Sequence, residues 1–165
     1  MIDSLQDLIH SLREELQQYG EMLARLDQQQ ALISRRGAED LMQSTAEVES
    51  QSRMIQNARR DRIQSQQELA RALRLTDDAP FAEITPRLPQ DYRPLVAALV
   101  QENNELLTRV QQRSRQNHVL LARSVELMSR VIQTLIPGGG SPVYTRRGNL
   151  QAVVFPKRSI RLDIG

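Results

Sequence analysis

The sequence predicts an all-α protein, an elongated antiparallel three-helix bundle or coiled coil with a flexible C-terminal tail. Hydrophobic residues make up 39% and aromatic residues 3% of the 165 residues, which is enough for narrow apolar stripes between long helices but too little for a thick core. Apolar residues recur at alternating steps of three and four positions, which is the spacing of a coiled-coil seam. Prolines and glycines concentrate around residues 76–94 and 137–142, and they divide the chain into helical segments.

The first helix is predicted over about residues 2–34. Its seam positions are apolar with one exception, Gln30, and Gly20 lies inside the pattern without ending it. Basic residues followed by Gly37 form a helix stop signal. The sequence leaves open whether the chain turns or bends at residues 34–37.

Two further helices are predicted, over about residues 38–75 and 94–136. The earlier of the two has a sparser apolar stripe, in which Arg59 and Arg62 occupy positions where a strict seam has leucine. The connection between the helices is rich in proline, and it is predicted to form a loop with a short helical turn. Pro94 suits the first turn of the third helix, because the N–H group that proline lacks would have no partner there.

The predicted domains are a helical bundle over residues 1–137 and a basic tail over residues 138–165. Glycine and proline form the hinge between them. The C-terminal half of the third helix is more apolar than its N-terminal half, and its apolar residues extend further round the helix. This wider apolar face implies a second surface that covers it.

The composition argues against an enzyme or a metalloprotein. The chain has no cysteine, and His10 and His118 lie on separate predicted helices, so the ligands of a metal site are missing. The neighbouring Glu14 and Glu15 are expected on a polar, solvent-exposed helix face, whereas acid–base catalysis needs carboxylates in a desolvated site. We therefore expect no catalytic residues, no metal, no cofactor and no small-molecule substrate.

The sequence also argues against a membrane span and against direct nucleic-acid binding. No apolar window is long enough to cross a membrane, and the acidic N-terminal residues do not fit a signal peptide, so we expect a cytoplasmic protein. The net charge is only +2 and aromatic residues for base stacking are few. The arginine-rich tail is the one nucleic-acid candidate.

Asn103 and Asn117 are polar residues on the seam of the third predicted helix. A polar residue at a seam position lowers stability but fixes the register and the number of partner helices. The same residues could instead line a groove that accepts an amphipathic helix from a partner protein. Both interpretations remain open at this stage.

Two segments, QNHVLLARSV at residues 116–125 and VYTRRG at residues 143–148, flank the glycine-rich break after the third predicted helix. They follow a long heptad helix, a polar second helix and a proline-bearing connection. In these segments and in this order of parts, the chain resembles the FlgN family of flagellar type III export chaperones. The resemblance covers most of residues 2–148.

The resemblance implies binding and release of secreted proteins. Chaperones of this family bind the C-terminal amphipathic helix of hook-associated proteins of the hook–filament junction, and they dock on a component of the flagellar export gate. Tyr144 is the residue implied for the gate contact. The client-binding residues implied by the resemblance are Asn117, Leu120, Leu121, Ser124, Leu127, Met128, Val131 and Leu135. The alternative is a structural coiled-coil adaptor, a homo-oligomer that covers the third helix with a second copy.

Overall fold

The computed structural model describes residues 1–35 and 38–135 of the chain. All regular elements among these residues are helical, which confirms the predicted all-α class. The elements in chain order are α1 (Ile2–Arg35), α2 (Ala38–Ala72), α3 (Phe81–Ile84), two 3-10 helical turns (Thr85–Arg87 and Gln90–Tyr92) and α4 (Arg93–Leu135).

The chain divides into two compact units, Met1–Val125 and Glu126–Gly165. The described part of the second unit is the last part of α4, residues 126–135. The predicted tail at residues 138–165 lies outside the described residues, as do Arg36 and Gly37 at the predicted turn or bend. The boundary between bundle and tail therefore stays a prediction.

Helices α1 and α2 are antiparallel and approach each other closely. Near the end of α1, the Gln29 side chain donates a hydrogen bond to the Thr45 hydroxyl, near the start of α2. Further back along α1, Gln18 accepts a hydrogen bond from the Gln51 side chain at 2.7 Å. Since the residue numbers fall on α1 as they rise on α2, the two helices run in opposite directions.

Helices α1 and α4 are parallel. Asn103 of α4 donates to the main-chain oxygen of Leu12, and Asn117 donates to the main-chain oxygen of Leu26. Each bond joins residues 91 positions apart in the sequence, so the offset between the two helices is constant. The three long helices of the first unit therefore run up, down and up, which agrees with the predicted antiparallel order.

The main hydrophobic core lies at one end of the first unit, where the start of α1, the end of α2, the connection and the start of α4 meet. We call it the basal cluster. Its buried residues are Leu5, Leu8, Ile9, Leu12, Leu69, Ala70, Ala79, Ile84, Leu88, Val96 and Leu99. A fully buried leucine contributes about 1.5–3 kcal/mol relative to an exposed one, so this cluster stabilises the unit strongly.

A smaller middle cluster follows along the bundle. Its buried residues are Tyr19, Met22 and Leu26 of α1 and Val110 of α4. Beyond Val110, the first unit contains no buried apolar residue of α4, because Asn117 is the one buried side chain between residues 111 and 125. Apolar stabilisation of α4 therefore decreases along the helix.

Helix α2 ends at Ala72, three residues before the predicted end at Leu75. Arg74 has a φ of 58°, in the left-handed region, and this conformation reverses the chain. Leu75 then donates its main-chain N–H to the Ala70 oxygen at 2.8 Å, and its side chain packs against the basal cluster. Since Arg74 is neither glycine nor asparagine, the sequence signal for this helix end is weak.

Candidate binding surfaces

The two seam asparagines contact α1 in the same way. The Asn103 Nδ2 atom donates to the main-chain oxygens of Leu12 at 3.0 Å and of Leu99 at 2.9 Å. The Asn117 Nδ2 atom donates to the main-chain oxygen of Leu26 at 2.7 Å and to Gln29 Oε1 at 3.1 Å. The bonds to Leu12 and Leu26 each tie one level of α4 to one level of α1, and together they set the register of the two helices.

Asn117 is buried against α1 in this structure, and its predicted client contact stays a prediction. Its side chain is only 1% exposed, because α1 covers it and uses both of its N–H donors. The Oδ1 atoms of Asn103 and Asn117 are also buried, and no described residue donates a hydrogen bond to either of them. Of the two interpretations of these asparagines, the geometry supports register control.

The predicted client residues nearest to Asn117 are half-buried. Leu120, Leu121 and Ser124 belong to the first unit, and each of them keeps part of its surface in solvent. The neighbouring Val125 is 66% exposed. This part of α4 therefore offers a mixed, partly accessible surface.

The last described part of α4 has apolar side chains in solvent. In the second unit, Leu127, Met128, Val131 and Ile132 are each more than half exposed, and we call these four residues the exposed stripe. Leu127 and Val131 are four positions apart, as are Met128 and Ile132, so all four lie on one side of the helix. The side chain of Leu135, and Tyr144 with the whole tail, lie outside the described residues.

A buried ion pair separates the basal cluster from the middle cluster. Glu15 was expected on a solvent-exposed face, but it is only 3% exposed, and this expectation is wrong. Its Oε2 atom accepts a hydrogen bond from Arg62 Nε at 2.9 Å, and its Oε1 atom accepts one from the Tyr19 hydroxyl at 2.9 Å. A buried carboxylate is tolerated only when it is paired and hydrogen-bonded in this way. The arginine at a seam position of α2 is the sequence signal that could have revealed the pair.

Tyr19 contributes to the same polar layer. Burial of the ring raises the pKa of the Tyr19 hydroxyl well above its ordinary value, and the negative charge of Glu15 raises it further. The neutral phenol is therefore strongly favoured in the folded protein. In that form the hydroxyl can donate to Glu15.

Two grooves flank this part of the bundle. One, of about 810 Å³, lies between the connection and α4, and another, of about 320 Å³, lies beside the Glu15–Arg62 pair. Each groove contains a single carboxylate, Glu105 or Glu15, so neither offers a carboxylate pair for acid–base catalysis. Within residues 1–35 and 38–135, no group of three His, Cys, Asp or Glu side chains could hold a metal ion. None of the helices in these ranges has an apolar stretch that could cross a membrane.

A helical fold with exposed apolar side chains is typical of a protein that binds other proteins. The sequence matches the family FlgN (FlgN protein) over residues 1–152, and the chain therefore belongs to the FlgN family. No curated protein and no solved structure matches it. FlgN is a family of chaperones and not a family of enzymes, and membership in it implies a flagellar export chaperone that binds flagellar export substrates.

Proposed function

We propose that this chain binds the C-terminal amphipathic helix of hook-associated proteins of the hook–filament junction and delivers them to the flagellar export gate. The observation that carries the proposal is the exposed stripe of α4. Monomeric soluble proteins rarely leave several neighbouring apolar side chains in water unless a partner binds there. A client helix would remove these side chains from water.

The spacing of the exposed stripe suits a helical client. Recognition of an amphipathic helix relies on apolar anchors at positions i, i+3 or i+4, and i+7. Leu127 and Val131 have this spacing, and Leu135 continues it by one more turn. While the client helix is covered, its apolar face is not available for premature assembly.

The half-buried Leu120, Leu121 and Ser124 form a second candidate contact within the first unit. Their exposed surfaces are smaller than those of the stripe residues, so we propose a lesser contribution to binding. While α4 lies against α1 as in this structure, Asn117 does not contribute to the proposed surface, because α1 already uses its amide group.

The delivery step is proposed from the family resemblance. Tyr144 is the proposed contact with the export-gate component. We also propose a cytoplasmic location, since a chaperone of export substrates meets its clients before they are secreted.

The test is calorimetric titration of the full-length chain with a synthetic C-terminal helix of a hook–filament junction protein. We expect saturable binding, and we expect Leu127→Asp to weaken it by at least about tenfold, because a buried charge without a partner opposes the contact. The matched control is Ser129→Asp. It adds the same charge at another exposed position of the same helix, away from the stripe, and it should change the affinity by less than about twofold.

Two outcomes would contradict the proposal. If both aspartate variants lost affinity equally, the effect would come from charge rather than from the stripe. If the wild-type chain bound no peptide but self-associated in sedimentation experiments, and Leu127→Asp abolished that self-association, the stripe would be a contact between copies. The chain would then be a coiled-coil adaptor.

A further inference from the structure

Beyond the middle cluster, α4 is joined to α1 by polar contacts, and the one buried apolar side chain of α1 at this end is Ile33. Arg113 pairs with Asp27, with a distance of 2.8 Å between Nε and Oδ1, and it also donates to the Gln30 side chain. One turn further along α4, Asn117 donates to the main-chain oxygen of Leu26 and to Gln29. We call these contacts the distal clasp. No apolar residue of α4 is buried at this level of the first unit.

Such contacts exchange easily for contacts with water. The Asp27 carboxylate is half exposed, so water screens its attraction to Arg113. The hydrogen bonds of the clasp have a small net effect on stability, because water replaces them when the helices separate. Asn117 Oδ1 would even gain partners on separation, since it is buried without a donor among the described residues.

We infer that residues 111–125 of α4 form a releasable arm, which detaches from α1 at the distal clasp while the basal cluster holds the rest of the helix. Release uncovers the buried side chains of Leu26, Gln29 and Asn117. Resting on the proposed function, we assign the opened cleft to the client helix. A client with apolar anchors and one hydrogen-bond donor would cover Leu26 and satisfy Asn117 Oδ1. Binding to the open form would then be favoured over the closed form.

The opening can be measured without any client. The chain has no cysteine, so Asn103→Cys and Asn117→Cys each introduce the only thiol. Both substitutions remove a hydrogen bond from the asparagine amide to a main-chain oxygen of α1, and Asn117→Cys also removes the bond to Gln29. A difference in maleimide labelling rate between the two variants therefore reports how firmly α4 is held at each level. The labelling rate of each folded variant is divided by the rate for the same variant unfolded in urea, which removes differences in intrinsic thiol reactivity. We expect this ratio to be at least about tenfold higher for Asn117→Cys than for Asn103→Cys.

Equal labelling rates, or faster labelling at position 103, would overturn the releasable arm. If Asn103→Cys does not fold, Leu99→Cys serves as the basal probe, because Leu99 is 7% exposed and Asn103 is 6% exposed. Circular dichroism before labelling checks that each cysteine variant has the helical content of the wild-type chain, so that the labelling rates compare folded proteins.

The role of the arm in client binding is tested with a cross-link. A short bismaleimide joins Gln30→Cys to Arg113→Cys and fastens the arm to α1. The matched control joins Arg25→Cys to Glu47→Cys, which replaces an ion pair of 3.3 Å between α1 and α2. We expect the first cross-link to lower the affinity for the client peptide by at least about tenfold and the second to leave it within about twofold of the unlinked variant.

The outcomes separate this inference from the proposed function. Equal peptide affinity with and without the α1–α4 cross-link would overturn the assignment of the cleft to the client. If the unlinked full-length chain bound no peptide, the proposed function and the client assignment would both fail. The labelling rates would still decide whether the arm opens.

Discussion

The two ends of the contact between α1 and α4 use the same asparagine bond in different surroundings. Asn103 lies next to the basal cluster, where leucines of four segments are buried together. Asn117 makes the same bond to α1, but its neighbours are the polar side chains of Arg113 and Gln29. The difference shows that the asparagine bond determines alignment at both levels. The stability of each level depends on the apolar surface buried around that bond.

The largest expected effect is a loss of stability at the basal end. Leu8 is fully buried, so Leu8→Ala should lower the free energy of unfolding by about 2–5 kcal/mol. Leu120→Ala, at a half-buried position near Asn117, should lower it by less than about 1 kcal/mol. Urea denaturation followed by circular dichroism measures both. Equal losses would refute the contrast between the two ends.

A smaller effect is expected in the polar layer between the clusters. Tyr19→Phe removes the hydrogen bond to Glu15 and should lower the free energy of unfolding at neutral pH by about 1 kcal/mol. The folded-state pKa of Tyr19 is raised, so above its ordinary value of about 10 the folded protein binds the phenol proton more tightly than the unfolded chain does. The contribution of Tyr19 is thus complete below that pH and is lost as the pH rises above it.

Urea midpoints measured between about pH 7 and pH 11 test this dependence on Tyr19. The wild-type chain should lose stability more steeply above pH 10 than the Tyr19→Phe variant, which has no phenol proton at this position. Parallel curves for the two proteins would mean that the phenol is not held in the neutral form by the fold.

The smallest expected effect is a gain of stability in the middle of α1. Gly20 lies inside the helix, and a methyl group at this position would meet nothing within 4 Å. Gly20→Ala should therefore raise the free energy of unfolding by about 0.5–1 kcal/mol. With Gly20→Ala added to each cysteine variant, maleimide should still label Asn117→Cys faster than Asn103→Cys. A loss of stability would indicate that α1 needs the freedom of glycine there.

The local periodicity of the sequence was sufficient to predict the long helices. Helix α1 continues through Gly20 and ends at Arg35, one residue beyond the predicted end. Helix α4 begins at Arg93, which places Pro94 in its first turn as expected. These features depend on neighbouring residues within one helix, and the sequence contains them directly.

The features that the sequence did not predict depend on which helices face each other. Glu15 is polar and next to another glutamate, and only the approach of Arg62 from α2 explains its burial. The sequence does not distinguish register control from a partner-binding groove at Asn117, because the distinction depends on whether α1 accepts its amide hydrogens. Leu127, Met128 and Val131 are accessible, as a client surface requires, but their contact with a client stays a prediction.

The equal offset of the two asparagine bonds couples the lengths of two distant parts of the chain. The same number of residues separates Leu12 from Leu26 on α1 as separates Asn103 from Asn117 on α4. Inserting one residue into either stretch would rotate one bond partner by about 100° round its helix and break the match. Insertions and deletions in these two stretches should therefore be tolerated only when they are matched in length and also keep the seam residues of both helices on the facing sides.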